Sequence, residues 1–118
     1  MKVILDLPMP PSNNVYYRRG KFATYLSEQG RAYKQLVADI ISDTCDAKFE
    51  DKRLRVHINL HPATRRKMDI DNRLKALADS LENAGLFFSD EQIDDLRIVR
   101  CGVLSGGRVT VIVEAIDG

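Results

Sequence analysis

Between Arg53 and His61 the chain alternates without interruption, with Leu54, Val56, Ile58 and Leu60 on one side and Arg55, His57, Asn59 and His61 on the other. Successive side chains of a strand point to opposite faces, so this pattern predicts a strand with one buried face and one wet face. Pro62, which has no N–H to give a ladder, closes it. Such a strand obliges the rest of the chain to supply neighbours for its edges and a cover for its apolar face. At 118 residues the chain has length for one such core and not for two, so residues 1–118 are expected to form a single domain.

The remaining segments provide those parts. Residues 2–7, KVILDL, read as a short strand ended by Pro8, Pro10 and Pro11. A loop is expected from Ser12, Asn13 and Asn14 through Tyr16 and Lys21, since Ser and Asn favour turns by bonding nearby backbone. Ser27 is placed to cap a helix over about 27–46, in which Tyr33, Leu36, Val37, Ile40 and Ile41 recur at helical spacing. A second helix carries Leu74, Leu77, Ala78 and Leu81 and should stop at Gly85, a residue suited to a left-handed cap. Ser89 and Gln92 fit a capping box. Residues 95–103 and 107–116 read as two strands joined in a hairpin across Ser105-Gly106-Gly107. The order β-α-β-α-β-β predicts an α+β domain, a mixed sheet packed against two main helices.

Composition narrows the class. With 44% hydrophobic and 30% charged residues the chain is globular. No apolar run is long enough to span a bilayer, and MKVILDLPMPP lacks the apolar stretch of a signal peptide, so a cytoplasmic protein without membrane contact is expected. Cys45 and Cys101 have no metal-site or disulfide spacing and read as free, core-facing thiols. Net charge is only +1, yet it is segregated. Between Tyr16 and Lys34 stand five cations and one acid, and between Asp39 and Asp51 five acids and one lysine.

The stretch MDIDNRLK, residues 68–75, places Asp69 and Asp71 at the expected start of the second helix, with Lys75 four positions on. If the chain is extended there, both carboxylates share a side and can grip one cation. Mg²⁺ suits them, since it takes oxygen ligands and needs only one or two carboxylates. A helix start also welcomes phosphate, and the Lys75 ammonium can offset charge on it. The plainer reading is that the acids are helix caps and that Asp71 with Lys75 is an exposed pair worth roughly 0.2–0.5 kcal/mol. On spacing alone both readings stand, the plain one ahead. Asp90 is equally ambiguous, as an acid in the first turn after Ser89.

Other chemistries find less support. His57 and His61 share a strand face without a third ligand nearby in sequence, and neither a Walker loop, a Gly-x-Gly-x-x-Gly run nor a Gly-x-Ser-x-Gly elbow is present. The segment Tyr16-Tyr17-Arg18-Arg19-Gly20-Lys21-Phe22 mixes rings with cations, a combination that docks nucleic acid or merely covers a sheet. Arg65-Arg66-Lys67, directly before the aspartates, adds a second cationic patch and favours docking.

Several of these motifs together resemble the RusA family of Holliday-junction resolvases. The likeness spans nearly the whole chain: Leu7-Pro8-Met9-Pro10-Pro11-Ser12-Asn13-Asn14, the Tyr16-Tyr17 pair, Asp69-Ile70-Asp71-Asn72, Lys75, Ala84-Gly85, Asp90-Glu91-Gln92-Ile93 and Gly106-Gly107. The resemblance implies a homodimeric, Mg²⁺-dependent endonuclease, with Mn²⁺ as an alternative ion, that cuts four-way DNA junctions symmetrically in recombination and repair. By position it implies Asp69, Asp71 and Asp90 as metal ligands and Lys75 as the catalytic cation. Asn13, Asn14, Tyr17, Arg18, Arg19, Lys21, Arg65, Arg66 and Lys67 are then expected to dock DNA. The chain departs from the family pattern at Met68, where a basic residue often stands, and at Ser89, where some relatives carry an acid.

Two alternatives remain beside this expectation: a non-catalytic binder of branched DNA, and a phosphohydrolase of small nucleotides, for which no base pocket is announced. Leu86-Phe87-Phe88 is a candidate dimer surface or, more plainly, part of the core.

Overall fold

The alternating segment forms β4 (Leu54–His61), an interior strand of a four-stranded sheet, in a computed structural model that describes residues 1–116. Its companions are β1 (Lys2–Pro8), β5 (Ile93–Arg100) and β6 (Arg108–Ala115), in the order β1-β6-β4-β5. β6 runs antiparallel to both β1 and β4, and β5 runs parallel to β4. The sheet is therefore mixed, as expected. Leu54, Val56, Ile58 and Leu60 are buried, and they meet Leu5 and Leu7 of β1 and Val109, Val111 and Val113 of β6 in one cluster.

Two helices cover this face. α2 (Glu28–Thr44) begins at Ser27, whose hydroxyl accepts from the Gly30 N–H at 3.0 Å, and buries Tyr33, Val37 and Ile41. α3 (Leu74–Asn83) buries Leu77 and Leu81 into the same cluster and ends before Gly85, which takes φ +82°. No helix among the described residues is long and apolar enough to cross a membrane. The opposite face of the sheet is polar along β4, with Arg55 bridging Asp95 at 2.9 Å and Glu114 at 3.2 Å, and carries an exposed Ile4 on β1.

Two expectations need correction, and one open alternative is decided. The last two strands form no hairpin: β5 follows the α3 crossover, which returns it parallel to β4 at the sheet edge. The link after β5 is carried over the end of β4 by Cys101 N–H to Leu60 carbonyl and Leu104 N–H to Pro62 carbonyl bonds of 2.8 and 3.0 Å. β6 thus lands between β4 and β1. Next, the segment expected as a loop after Pro11 is built as a short helix α1 (Asn13–Tyr16) and a hairpin of β2 (Tyr17–Arg19) and β3 (Thr24–Leu26). Finally, Leu86 and Phe87 are buried in the core, leaving only Phe88 of that trio exposed. Both cysteines are free and half-buried, with Cys45 against the core cluster.

Candidate active site

The segment that carries the first two aspartates is extended only as far as Asp69 (φ −77°, ψ 132°). Ile70–Arg73 then form a 3₁₀ turn, in which the Asn72 N–H donates to the Asp69 carbonyl at 3.3 Å, before α3 begins at Leu74. The picture of two carboxylates alternating along an extended strand therefore fails at Ile70. Asp69 occupies the N-cap position without making a side-chain cap bond. Both carboxylates are exposed, and among the described residues neither accepts a hydrogen bond nor enters an ion pair. Of the plainer reading, the Asp71–Lys75 pair and the cap hydrogen bond fail, and what is left is the favourable placing of two acids at a helix start.

What anchors the segment is Met68. Its carbonyl accepts from the Arg100 guanidinium at 2.6 Å, and its sulfur lies 3.0 Å from Arg73 Nε. Arg73 in turn donates to the Pro10 carbonyl at 2.6 Å. The residue that departs from the family pattern is thus a fixing point between β5 and the proline-rich loop. Neither arginine was singled out by sequence, since an isolated cation on a strand or helix start carries no periodic signal.

Arg66, Lys67, Asp69, Asn72 and Arg73 line one open cleft of about 600 Å³ with Met9, Ser12 and the link after β4. Arg65 is exposed beside it. A second groove, of about 560 Å³, lies between the hairpin and the start of α2 and takes Asn14, Tyr17 and Arg18. Arg19 and Lys21 are exposed on the hairpin, where Lys21 sits over the Phe22 ring at 5.5 Å. Asn13 is half-buried, and its side-chain oxygen is covered without a hydrogen-bond partner. Of the expected docking residues, Arg66 and Lys67 line the first groove and Asn14, Tyr17 and Arg18 the second, while Asn13, Arg19, Lys21 and Arg65 line neither.

Lys75 does not pair with Asp71. Its ammonium lies 3.0 Å from Asp79, one turn further along α3. The Asp79 hydrogen bond and charge hold that ammonium protonated, above the ordinary lysine range, with smaller contributions from Tyr17 and Asp90. Asp79 also accepts from the Tyr16 hydroxyl at 3.4 Å, and burial first, then Asp79, keeps that phenol protonated well above its usual range. Asp79 was missed by sequence, although its spacing from Lys75 equals that of Asp71.

Asp90 opens a 3₁₀ turn (Asp90–Gln92) with the expected capping box between Ser89 and Gln92. The Gln92 side-chain oxygen accepts from the Phe88 and Ser89 N–H groups at 2.9 and 2.8 Å. Its amide donates to the Glu50 and Lys52 carbonyls at 2.8 and 2.7 Å. The turn is thereby fixed, and it meets α3 in the helix's last turn, where Glu82 accepts from the Asp90 N–H at 3.0 Å. The Asp90 backbone thus leans on the last turn of the helix, while its carboxylate is near enough to add to the field at Lys75 in the first turn. The donor chemistry at Asp69, Asp71 and Asp90 suits a hard oxygen-seeking ion such as Mg²⁺. Among the described residues no three His, Cys, Asp or Glu side chains converge closely enough to cage a metal, so an ion taken there would keep water or substrate oxygens as most of its ligands.

A family model described as endodeoxyribonuclease RusA matches residues 7–114. The chain is 38% identical over 109 residues to the crossover junction endodeoxyribonuclease RusA of Escherichia coli strain K12, an overlap of 92% of this chain and 91% of that relative. The same name, identity and coverage hold for the protein of Enterobacteria phage 82. With that of Enterobacteria phage HK97 the identity is 38% over 111 residues, 94% of this chain and 92% of the other. The match extends from the first strand to the last and takes in both aspartate-bearing turns, and the chain belongs to the RusA family of endodeoxyribonucleases.

Proposed function

We propose that this protein is a structure-specific endodeoxyribonuclease that resolves four-way DNA junctions, a reading that joins its family membership to the chemistry of its own site. The observation that carries it is the pair Asp69 and Asp71, exposed and without internal partners among the described residues, with Asp69 in a cleft that also holds Arg66 and Lys67. Free carboxylates beside phosphate-binding cations suit a site that holds a metal against a phosphodiester. In this reading Asp69, Asp71 and Asp90 hold Mg²⁺, or Mn²⁺ in its place. When bound, the ion supplies an activated water and a Lewis acid.

The protein's own groups do the rest. Arg66 and Lys67 in one groove, and Tyr17 and Arg18 in the other, hold the DNA backbone and fix its register, which phosphate contacts do without reading sequence. Asn13, Asn14, Arg19, Lys21 and Arg65 extend these two surfaces. Lys75 presents its ammonium to charge that develops on the phosphate. A junction is resolved cleanly only when two opposed strands are nicked, so one site per chain calls for a two-fold homodimer.

The test is cleavage of a synthetic four-way junction beside a linear duplex of the same arms, with Mg²⁺, with Mn²⁺ and with chelator. Paired symmetrical nicks in the junction alone, abolished by chelator, are the expected result. Salt-sensitive junction binding without cleavage in either metal would overturn the enzyme and leave a branched-DNA binder.

A further inference from the structure

We infer that Asp79 is a positioning residue for cleavage, one that aims the Lys75 ammonium and ties its direction to the base of the cationic hairpin. The inference rests on the reading of Lys75 given above. One Asp79 oxygen takes Lys75 at 3.0 Å and the other takes the Tyr16 hydroxyl at 3.4 Å, so two partners from different elements fix the plane of one carboxylate. The Asp79 side chain is only 21% exposed, whereas that of Lys75 is 49% exposed. The carboxylate is held inside and the cation faces out.

Tyr16 is an unusually firm anchor. It is fully buried, its carbonyl accepts from the Ser27 N–H at 3.0 Å, and the Ser27 hydroxyl donates to the neighbouring Val15 carbonyl at 2.5 Å. Gly30 lies so close that a Cβ there would stand 2.6 Å from that carbonyl oxygen. The next residue, Tyr17, starts β2 and packs edge-to-face on Tyr16 with ring centroids 4.9 Å apart. The hairpin base is thus held firmly against α2, and the Tyr16 hydroxyl reaches from there to Asp79 on α3, the helix that bears Lys75.

Charge sharpens the argument. A group selected only to attract phosphate gains nothing from an acid 3 Å away, because the acid cancels its field. An ammonium has three donors, however, and Asp79 uses one of them, leaving the others free for a ligand in a fixed direction. Asp79 therefore costs attraction and supplies orientation, which matters where charge develops during the reaction.

This separates binding from rate. Asp79→Ala is expected to lower single-turnover junction cleavage by roughly tenfold to a hundredfold, as loss of a supporting hydrogen-bond partner does elsewhere, while junction affinity holds or tightens. Asp79→Asn, which keeps the shape and one acceptor, should recover part of the rate. Lys75→Ala should be slow by itself, and adding Asp79→Ala to it should change nothing further. If Lys75→Ala cleaves at the wild-type rate, the role of Lys75 is wrong and the inference falls with it. If Lys75→Ala is slow but Asp79→Ala or Asp79→Asn cleaves normally, or Asp79→Ala slows the Lys75→Ala variant again, Lys75 keeps its role and positioning by Asp79 is overturned.

Discussion

The two turns that present the proposed metal ligands are built on opposite plans. Around Asp90 the turn is densely bonded: Gln92 alone makes four hydrogen bonds, and Arg53 clamps the turn through Glu91 and Asp94. Around Asp69 and Asp71 the chain is turned by the Asn72 N–H to Asp69 carbonyl bond of 3.3 Å and the Leu74 N–H to Asp71 carbonyl bond, and two arginines hold it at Met68. The first turn gets its rigidity from buried satisfaction, the second from a few charged contacts at its edge. A site made of both has one fixed jaw and one adjustable jaw, which suits ligands that close fully only around substrate.

Substitutions should separate the jaws. The largest stability effect is expected from Gln92→Ala, which removes four hydrogen bonds of a buried side chain, those to the Ser89 N–H and the Lys52 carbonyl among them, and should cost about 2–4 kcal/mol, read from urea unfolding. A loss within the error of the fit would mean that the Asp90 turn is not held as described. Arg100→Ala is next. It should cost only about 1 kcal/mol in the same unfolding experiment, yet slow cleavage by roughly tenfold because the adjustable jaw loses its tether to β5. Equal rates for variant and wild type would show that the tether does not matter.

The smallest effect belongs to Arg53→Ala, whose partners are exposed and solvated. The Arg53 guanidinium holds the Asp94 carboxyl below its ordinary range, so the folded state favours the ionised form. That contribution is present at neutral pH and disappears as pH falls through the folded value. The thermal midpoints of wild type and Arg53→Ala should therefore differ slightly at pH 7 and converge in acid. A difference that grows in acid would contradict the sign.

The contrast also explains what could be read from the sequence. The capping box at Ser89 and Gln92 was legible because its partners are three residues apart, and β4 was legible because alternation is local. The order of the sheet was not, since nothing near residue 100 announces that β4 already occupies the place a hairpin partner would take. At Lys75 the sequence offers two acids at equal spacing, Asp71 and Asp79. Helix preference favours an acid on the N-terminal side, and the structure chooses the other. The reason lies 63 positions away, in Tyr16, whose hydroxyl occupies the second Asp79 oxygen. Asp71 sits in the 3₁₀ turn instead of the α-helical register. The candidate acids were legible, and their surroundings were not, because those are made by long-range contacts.

The central claim is that the unpartnered carboxylates at the start of α3 are there for chemistry. It is tested most directly by comparing Asp71→Asn with wild type for junction affinity, urea stability and single-turnover cleavage in Mg²⁺. The account predicts a rate lower by roughly 10²-fold or more, with affinity retained and stability changed by no more than about 0.5 kcal/mol. Cleavage by Asp71→Asn at the wild-type rate would contradict it.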